Sequence, residues 1–424
     1  MGSAQNKLGF QGTWAMAVGG MVGGGIFSTL GVVIGIAGRL AWLSFAFAGV
    51  LAFLAGYSYT RLADRYGEGG GAFTFLREIH QEGFAGSLAW VLILGYVLTN
   101  AVYAFTFGEY VNHVLSLGPL GARIAAVTIL IVFLGVNLGG TGEAGGVEIF
   151  LVWFKLAVLL GLAMVGITRW DPALLSRGVP DAGLGVAILG AVSVFMAYEG
   201  FQLLTYDYEE IDNPGRTLPR AVLSAIACVI VVYVAVAVGT ATLIGADTIV
   251  EHKEIALSIA GQQAFGAAGL LIVTAAAAFS TGSAINATLF ATARLSHEVA
   301  QAGELPRSFE HRNQKGVPDR AVVFLALLAA LFAFVGTLSD LVESASLAFL
   351  FTFAVVSGLA FIQRVGSRIL TGAGAIGTTA AAAALVFRLA QTAPLALGLF
   401  SAMVLLAILG RPLLLRHFRG VEGR

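Results

Sequence analysis

Long apolar runs alternate with short polar joints from one end of this chain to the other. A membrane-spanning helix needs about 20 mostly apolar residues. By that measure the pattern predicts twelve spans, over residues 10–36, 40–62, 85–115, 122–138, 147–168, 183–208, 219–244, 264–298, 320–337, 341–363, 371–390 and 393–415. Helix breakers stand at the joints: Gly38-Arg39, Gly118-Pro119, Gly139-Gly140, Asp171-Pro172, Asn213-Pro214-Gly215 and Gly336. Residues 69–82 (GGGAFTFLREIHQE) are too polar to span and are expected as an amphipathic helix on the membrane surface. A second such piece is expected over 247–260. The fold class is therefore an all-α membrane protein, a single domain over 1–424.

Composition agrees. The chain is 58% hydrophobic and 11% charged, against roughly 25% charged in soluble domains. Net charge is zero, with no basic tail, so no nucleic-acid partner is expected. Cys228 is the lone cysteine and lies in an apolar run, so it makes no intrachain disulfide. The first residues carry neither a cleavage pattern nor a myristoylation signal, and the first span is expected to be retained. With the N-terminus placed in the cytoplasm, 17 Lys and Arg fall on inside segments and 6 on outside ones. That bias, spread over many loops, predicts a multi-pass protein of the cell membrane with both termini cytoplasmic.

The first span carries five glycines between positions 19 and 25: Gly19, Gly20, Gly23, Gly24 and Gly25. Glycine weakens a helix by roughly 1 kcal/mol relative to alanine. Two readings stand side by side. The cluster lets the span unwind at mid-membrane and turn freed N–H and C=O groups toward a polar ligand, or it lets neighbouring helices approach closely.

Lys155 is the one basic residue outside that tally and sits near the middle of the fifth span. A lysine at a helix centre costs about 2.5–3.5 kcal/mol on insertion scales. It is either a structural cation paired with a neighbouring carboxylate or carbonyl, or a group that couples transport to an ion or proton. Glu199, followed directly by Gly200, is its acidic counterpart in the sixth span and suggests a second broken helix. Glu109 is a further acid, nearer the outer half of the third span. In the eighth span Ser280 and Ser283 share a helix face at i, i+3. Their hydroxyls either line a cation site or bond back to their own helix.

Four collinear motifs, covering residues 8 to about 320, carry a resemblance. They are GGMVGGGIFSTLG, YSYTRLADRYGEGGGAFTFLRE, FMAYEGFQLLTYDYEEIDNPGRTLPRAV and SAINATLFATARLSHEVAQAGELPRSF. The chain resembles the amino acid–polyamine–organocation superfamily of permeases, and within it most nearly the archaeal proton-driven, broad-specificity branch. That resemblance implies a leucine-transporter-type fold. Inverted repeats would cover about 8–170 and 181–365, with discontinuous first and sixth helices, and the last two spans (about 371–415) would lie outside the repeats. It implies that Lys155 replaces the sodium of coupled relatives, its ammonium approaching the carbonyls of Gly19 and Val22 and the hydroxyl of Ser283. It also puts the substrate carboxylate on the N–H groups of Gly24 and Gly25, with Gly23 and Ile26 completing the stretch. A half-helix N-terminus attracts an anion for the same reason. The substrate ammonium would meet carbonyls near Met21 and at Met196, Ala197 and Glu199. Gly282 stands where sodium-coupled members often hold a hydroxyl, which argues against sodium and for a proton.

Other classes fit less well. The chain has no His-Glu-x-x-His, no Gly-x-Ser-x-Gly, no clustered His/Cys ligands and no Walker lysine, so neither an enzyme nor an ATP-driven pump is expected. Gly140-Thr-Gly-Glu-Ala-Gly145 matches a dinucleotide fingerprint but joins two membrane helices rather than a strand and a helix. No cofactor or metal is expected. A carrier of amines or polyamines, or an amino-acid exchanger, is the alternative within transporters. A permease-like receptor is the alternative from another class.

Overall fold

The computed structural model describes residues 7–140, 145–180 and 183–411. Residues 2–6, part of the Gly140–Gly145 run, the end of the twelfth span and Arg416, Arg419 and Arg424 lie outside them. The described chain is helical, and its one β-type contact is an isolated bridge between Leu8 and Ile211.

Twelve long elements answer the twelve predicted spans. They are α1 (Phe10–Ala37), α2 (Ala41–Tyr66), α4 (Glu82–Leu115), α5 (Gly118–Leu138), α6 (Gly145–Thr168), α7 (Leu184–Ser193) with the 3-10 turns after it, α8 (Pro214–Ile244), α10 (Ala256–Gln301), α11 (Asp319–Val335), α12 (Leu338–Ile362), α13 (Arg368–Thr392) and α14 (Pro394–Leu405). Two short helices lie between them, α3 (Gly71–Arg77) and α9 (Ala246–Glu251). Among the described residues eight stretches are long and apolar enough to cross a membrane, the first taking in α1 and α2 together; α7 and α14 are shorter apolar helices.

The sorting of side chains follows from lipid as solvent. Outer faces are greasy and exposed: Ile131 and Val132 on α5, Phe150, Trp153 and Met164 on α6, Ile369, Ile376 and Phe387 on α13. Such a belt is an aggregation hazard in water and an ordinary surface against acyl chains. The centre combines small and polar residues with fully buried aromatic rings such as Phe27, Phe45, Tyr59 and Tyr96. Twenty of the 28 residues of α1 are buried, which makes it the axis of the molecule.

Both polar inserts are short. In α3 the apolar face, Phe73, Phe75 and Leu76, is buried, and Gly70 and Gly71, both at positive φ, make the turn into it. The 247–260 piece is α9, one 3-10 turn and the first residues of α10. Non-helical Phe265 and Gly266 (φ +62) then bend the chain into the eighth span. Gly31 lets this piece lie on α1, since a side chain there would come within 2.5 Å of the Lys253 Cα. On the same half of the molecule Arg388 of α13 donates to Glu343 of α12 and to Ser193 Oγ at the end of α7, each at 2.9 Å. The eleventh helix is thereby tied to the tenth and to the sixth at its break.

Candidate substrate and coupling site

The sixth span breaks where Glu199 and Gly200 predict it. Helix α7 ends at Ser193, a 3-10 turn covers Phe195–Tyr198, Glu199 is extended, and Gly200 takes φ +123 before a second 3-10 run over Phe201–Thr205. A left-handed φ of that kind favours glycine. Buried backbone groups freed by a break need partners in the membrane, and side chains supply them. Met196 N–H donates to Ser346 Oγ (3.0 Å), which donates to Ser193 O (2.9 Å). Gly200 N–H donates to Gln202 Oε1 (3.0 Å).

The first span does not break. Helix α1 is continuous through Gly19, Gly20, Gly23, Gly24 and Gly25, which corrects the discontinuous first helix and leaves the Gly24 and Gly25 amides inside the helix rather than open to a carboxylate. The physical reason is close approach on several sides. A side chain at Gly20 would come within 3.0 Å of the Gly200 Cα; at Gly23 it would overlap Ala284, at Gly24 the Tyr103 ring, at Gly25 the Tyr233 hydroxyl, and at Gly19 the Glu148 carboxylate. The glycine groove on α1 thus receives the break of the sixth span, α4, α6, α8 and α10. The weak helix propensity of the glycines is offset by the packing their missing side chains permit.

Lys155 is 1% exposed and donates from Nζ to Gly19 O at 3.1 Å, bridging α6 to α1. The other two expected contacts are absent. Val22 O accepts from Ser280 Oγ (2.8 Å), and Ser283 Oγ donates back to Ser280 O (3.1 Å). The α1–α10 crossing is therefore made by the serine pair's first member, a shorter side chain that reaches the carbonyl before the lysine does. Ser283 instead lines a cavity of about 780 Å³, together with Gly19, Gly20, Glu148 and Gly200. This vestibule opens on the side of Lys7 and Arg294 and is rimmed there by the Arg294–Asp207 ion pair at 2.7 Å.

Glu199, also 1% exposed, accepts from Tyr103 Oη (3.2 Å) on one oxygen and from Gln202 Nε2 (3.0 Å) on the other. Gln202 Nε2 donates as well to Tyr96 Oη (3.2 Å), which pairs with Tyr206 Oη (3.1 Å) at the vestibule wall. Met21 O and Ala197 O face one another across the α1–sixth-span contact and share a third partner, the Tyr233 hydroxyl of α8, at 2.7 and 2.9 Å. Met21, Met196, Ala197 and Ile26 are all fully buried.

Residues 8–408 match the family model described as amino acid permease. The chain belongs to the amino acid permease family. Among curated relatives the permease is 30% identical to an uncharacterized protein of Methanocaldococcus jannaschii over 84% of this chain and 82% of the relative. It is 29% identical to the inner membrane transport protein YbaT of Escherichia coli over 84% and 83%. It is 23% identical to the serine/threonine exchanger SteT of Bacillus subtilis over 71% and 70%. The permease is thus a multi-pass membrane transporter rather than an enzyme.

Four residues of the permease's centre escape a reading of the sequence alone. Glu148 stands seven residues before Lys155 on α6, hence on the same face, and lines the vestibule beside Gly19. That i, i+7 spacing was available as a signal. Tyr103, Gln202 and Tyr233 reach the site from α4, the break and α8, and only the tertiary fold brings them together.

Proposed function

We propose that the permease carries amino acids into the cell and couples their movement to protons, with Lys155 as the coupling group. One observation carries this reading: a fully buried ammonium bridges α6 to the glycine-rich centre of α1 through Gly19 O, and Gly19 also lines the vestibule. An ammonium there is a removable strut. With its proton it joins two helices; without it the bridge weakens, and the two states select different conformations. With both termini cytoplasmic, as the arginine and lysine bias predicts, the vestibule opens to the cytoplasm in this reading, which makes the conformation inward-facing. Sodium is not the coupling ion in this reading, because Gly282 offers no hydroxyl and the buried Lys155 already brings a cationic group to Gly19 O.

Amino acids are favoured over simple amines because Glu199, the acid of the break, already has a donor on each carboxylate oxygen. Exchange is the second reading, since one relative is named as a serine/threonine exchanger. Uptake of the twenty labelled L-amino acids and putrescine into proteoliposomes tests all three. Accumulation driven by an inward proton gradient and unaffected by sodium is expected; uptake that requires internal amino acid in place of a gradient would support exchange instead.

Glu199 provides a separate expectation. Glu199→Gln keeps the size of the side chain but replaces a carboxylate oxygen by an amide that faces a donor, Tyr103 or Gln202. It should shift substrate preference or the pH profile of uptake at least about tenfold, the scale of one hydrogen bond to a charged group. Kinetics equal to wild type across pH 5 to about 8 would assign Glu199 a purely structural part.

A further inference from the structure

Tyr233 sits where the substrate's amine is expected. Its hydroxyl lies 2.7 Å from Met21 O and 2.9 Å from Ala197 O, two of the carbonyls to which the family resemblance assigns a substrate ammonium. The ring is held in place. It stands edge-on to Phe45 at 5.4 Å and tilted against Tyr198 at 5.1 Å, and Tyr198 is itself tied to Phe45 O at 2.8 Å. Gly25 is what admits the hydroxyl, since a side chain there would overlap it.

A phenol has one hydrogen, and two carbonyl oxygens stand within its reach. Met21 O also accepts within the unbroken helix α1, whose ladder takes in the Gly25 amide, so the oxygen left to the phenol is that of Ala197. Ala197 O depends on it, because the Gly200 N–H that a continuing 3-10 turn would send there bonds Gln202 Oε1 instead. A buried carbonyl without a full donor is costly. A primary ammonium brings three hydrogens and would serve both oxygens at once, so the pair suits an ammonium better than it suits the hydroxyl that now joins it.

We propose that Tyr233 is an internal stand-in for the substrate amine. In the empty carrier its hydroxyl closes the amine subsite by joining α1 to the break of the sixth span. The substrate ammonium displaces it on binding, and its return helps expel the substrate. This inference rests on the amino-acid reading above and adds to it a residue of α8 that competes with substrate for the same two carbonyls. The stand-in also gives the carrier a built-in ceiling on affinity, since every binding event breaks a contact that the empty site makes with itself.

The test is equilibrium binding, in wild type and Tyr233→Phe, of the panel amino acid that wild type takes up best. Loss of the hydroxyl removes a bond made only by the empty site. The variant is expected to bind about fivefold more tightly, the scale of one net hydrogen bond, with slower dissociation and lower turnover. Affinity equal to or weaker than wild type would overturn the stand-in, and weaker binding would make Tyr233 a direct ligand or a brace. If wild type binds none of the panel, the amino-acid reading falls and this proposal with it. Should Tyr233→Phe not fold, 3-fluorotyrosine placed at 233 in the otherwise native chain gives a second measurement. Its fluorine resonance should move on adding the amino acid and stay still with the corresponding deaminated acid; a resonance unmoved by both overturns the proposal.

Discussion

Gly200→Ala should destabilise the permease by roughly 3 kcal/mol or more and abolish substrate binding. Two costs combine. The residue holds φ +123, a conformation that costs an L-residue about 1–3 kcal/mol. The added methyl would also come within 2.5 to 2.8 Å of the Gly20 and Met21 backbone, and overpacking typically costs a further ~1–3 kcal/mol. Backbone meets backbone here, so no flexible side chain can swing aside to make room. Gly161→Ala in α6 is the matched control, because nothing lies within 4 Å of a side chain at that position. Thermal unfolding in detergent should show a large fall for the first variant and no loss, or a small gain, for the second. Equal melting temperatures would mean that the α1–sixth-span contact is looser than described.

Lys155→Ala should separate binding from coupling. The substitution leaves the carbonyls of Met21 and Ala197 and the break of the sixth span untouched, so substrate affinity is expected to stay within about threefold of wild type, under one hydrogen bond's worth of change. It removes the strut between α6 and Gly19 O. Accumulation driven by an inward proton gradient should then be lost while downhill flux persists, and sodium should not restore it. A carrier whose two conformations no longer differ in proton affinity cannot convert a proton gradient into a substrate gradient, however tightly it binds substrate. Full accumulation by the alanine variant at matched protein content would make Lys155 structural and move the coupling site elsewhere, with Glu199 the first place to look.

What the sequence disclosed and what it hid divide along a physical line. Span positions follow from hydropathy, because lipid demands about the same apolar length from every helix. The break at Glu199-Gly200 was legible because a buried acid beside a glycine is expensive in an unbroken apolar helix. The approach of Lys155 to Gly19 followed from the resemblance. The state of α1 was not legible. Five glycines serve unwinding and close approach equally well, and only the neighbours decide between them: the Gly200 backbone, Ala284, and the Tyr103 and Tyr233 side chains, each filling the space a β-carbon would need. The contacts expected of Val22 and Ser283 with Lys155 are not made, for a related reason. Spacing puts Ser280 and Ser283 on one face, but which of the two reaches α1 depends on the height at which the helices cross, and Ser280 does. Tyr233 carried no signal of its own among the apolar residues of its span.

Proton movement evoked by substrate is the most direct test of coupling. Proteoliposomes loaded with a pH-sensitive dye, with no gradient imposed, are given the amino acid that wild type takes up best. Proton coupling through Lys155 requires that substrate entry acidify the interior of wild-type vesicles and leave Lys155→Ala vesicles unchanged while labelled substrate still enters both. Acidification by the alanine variant at the wild-type rate, or substrate entry into wild-type vesicles with no acidification at all, would contradict it.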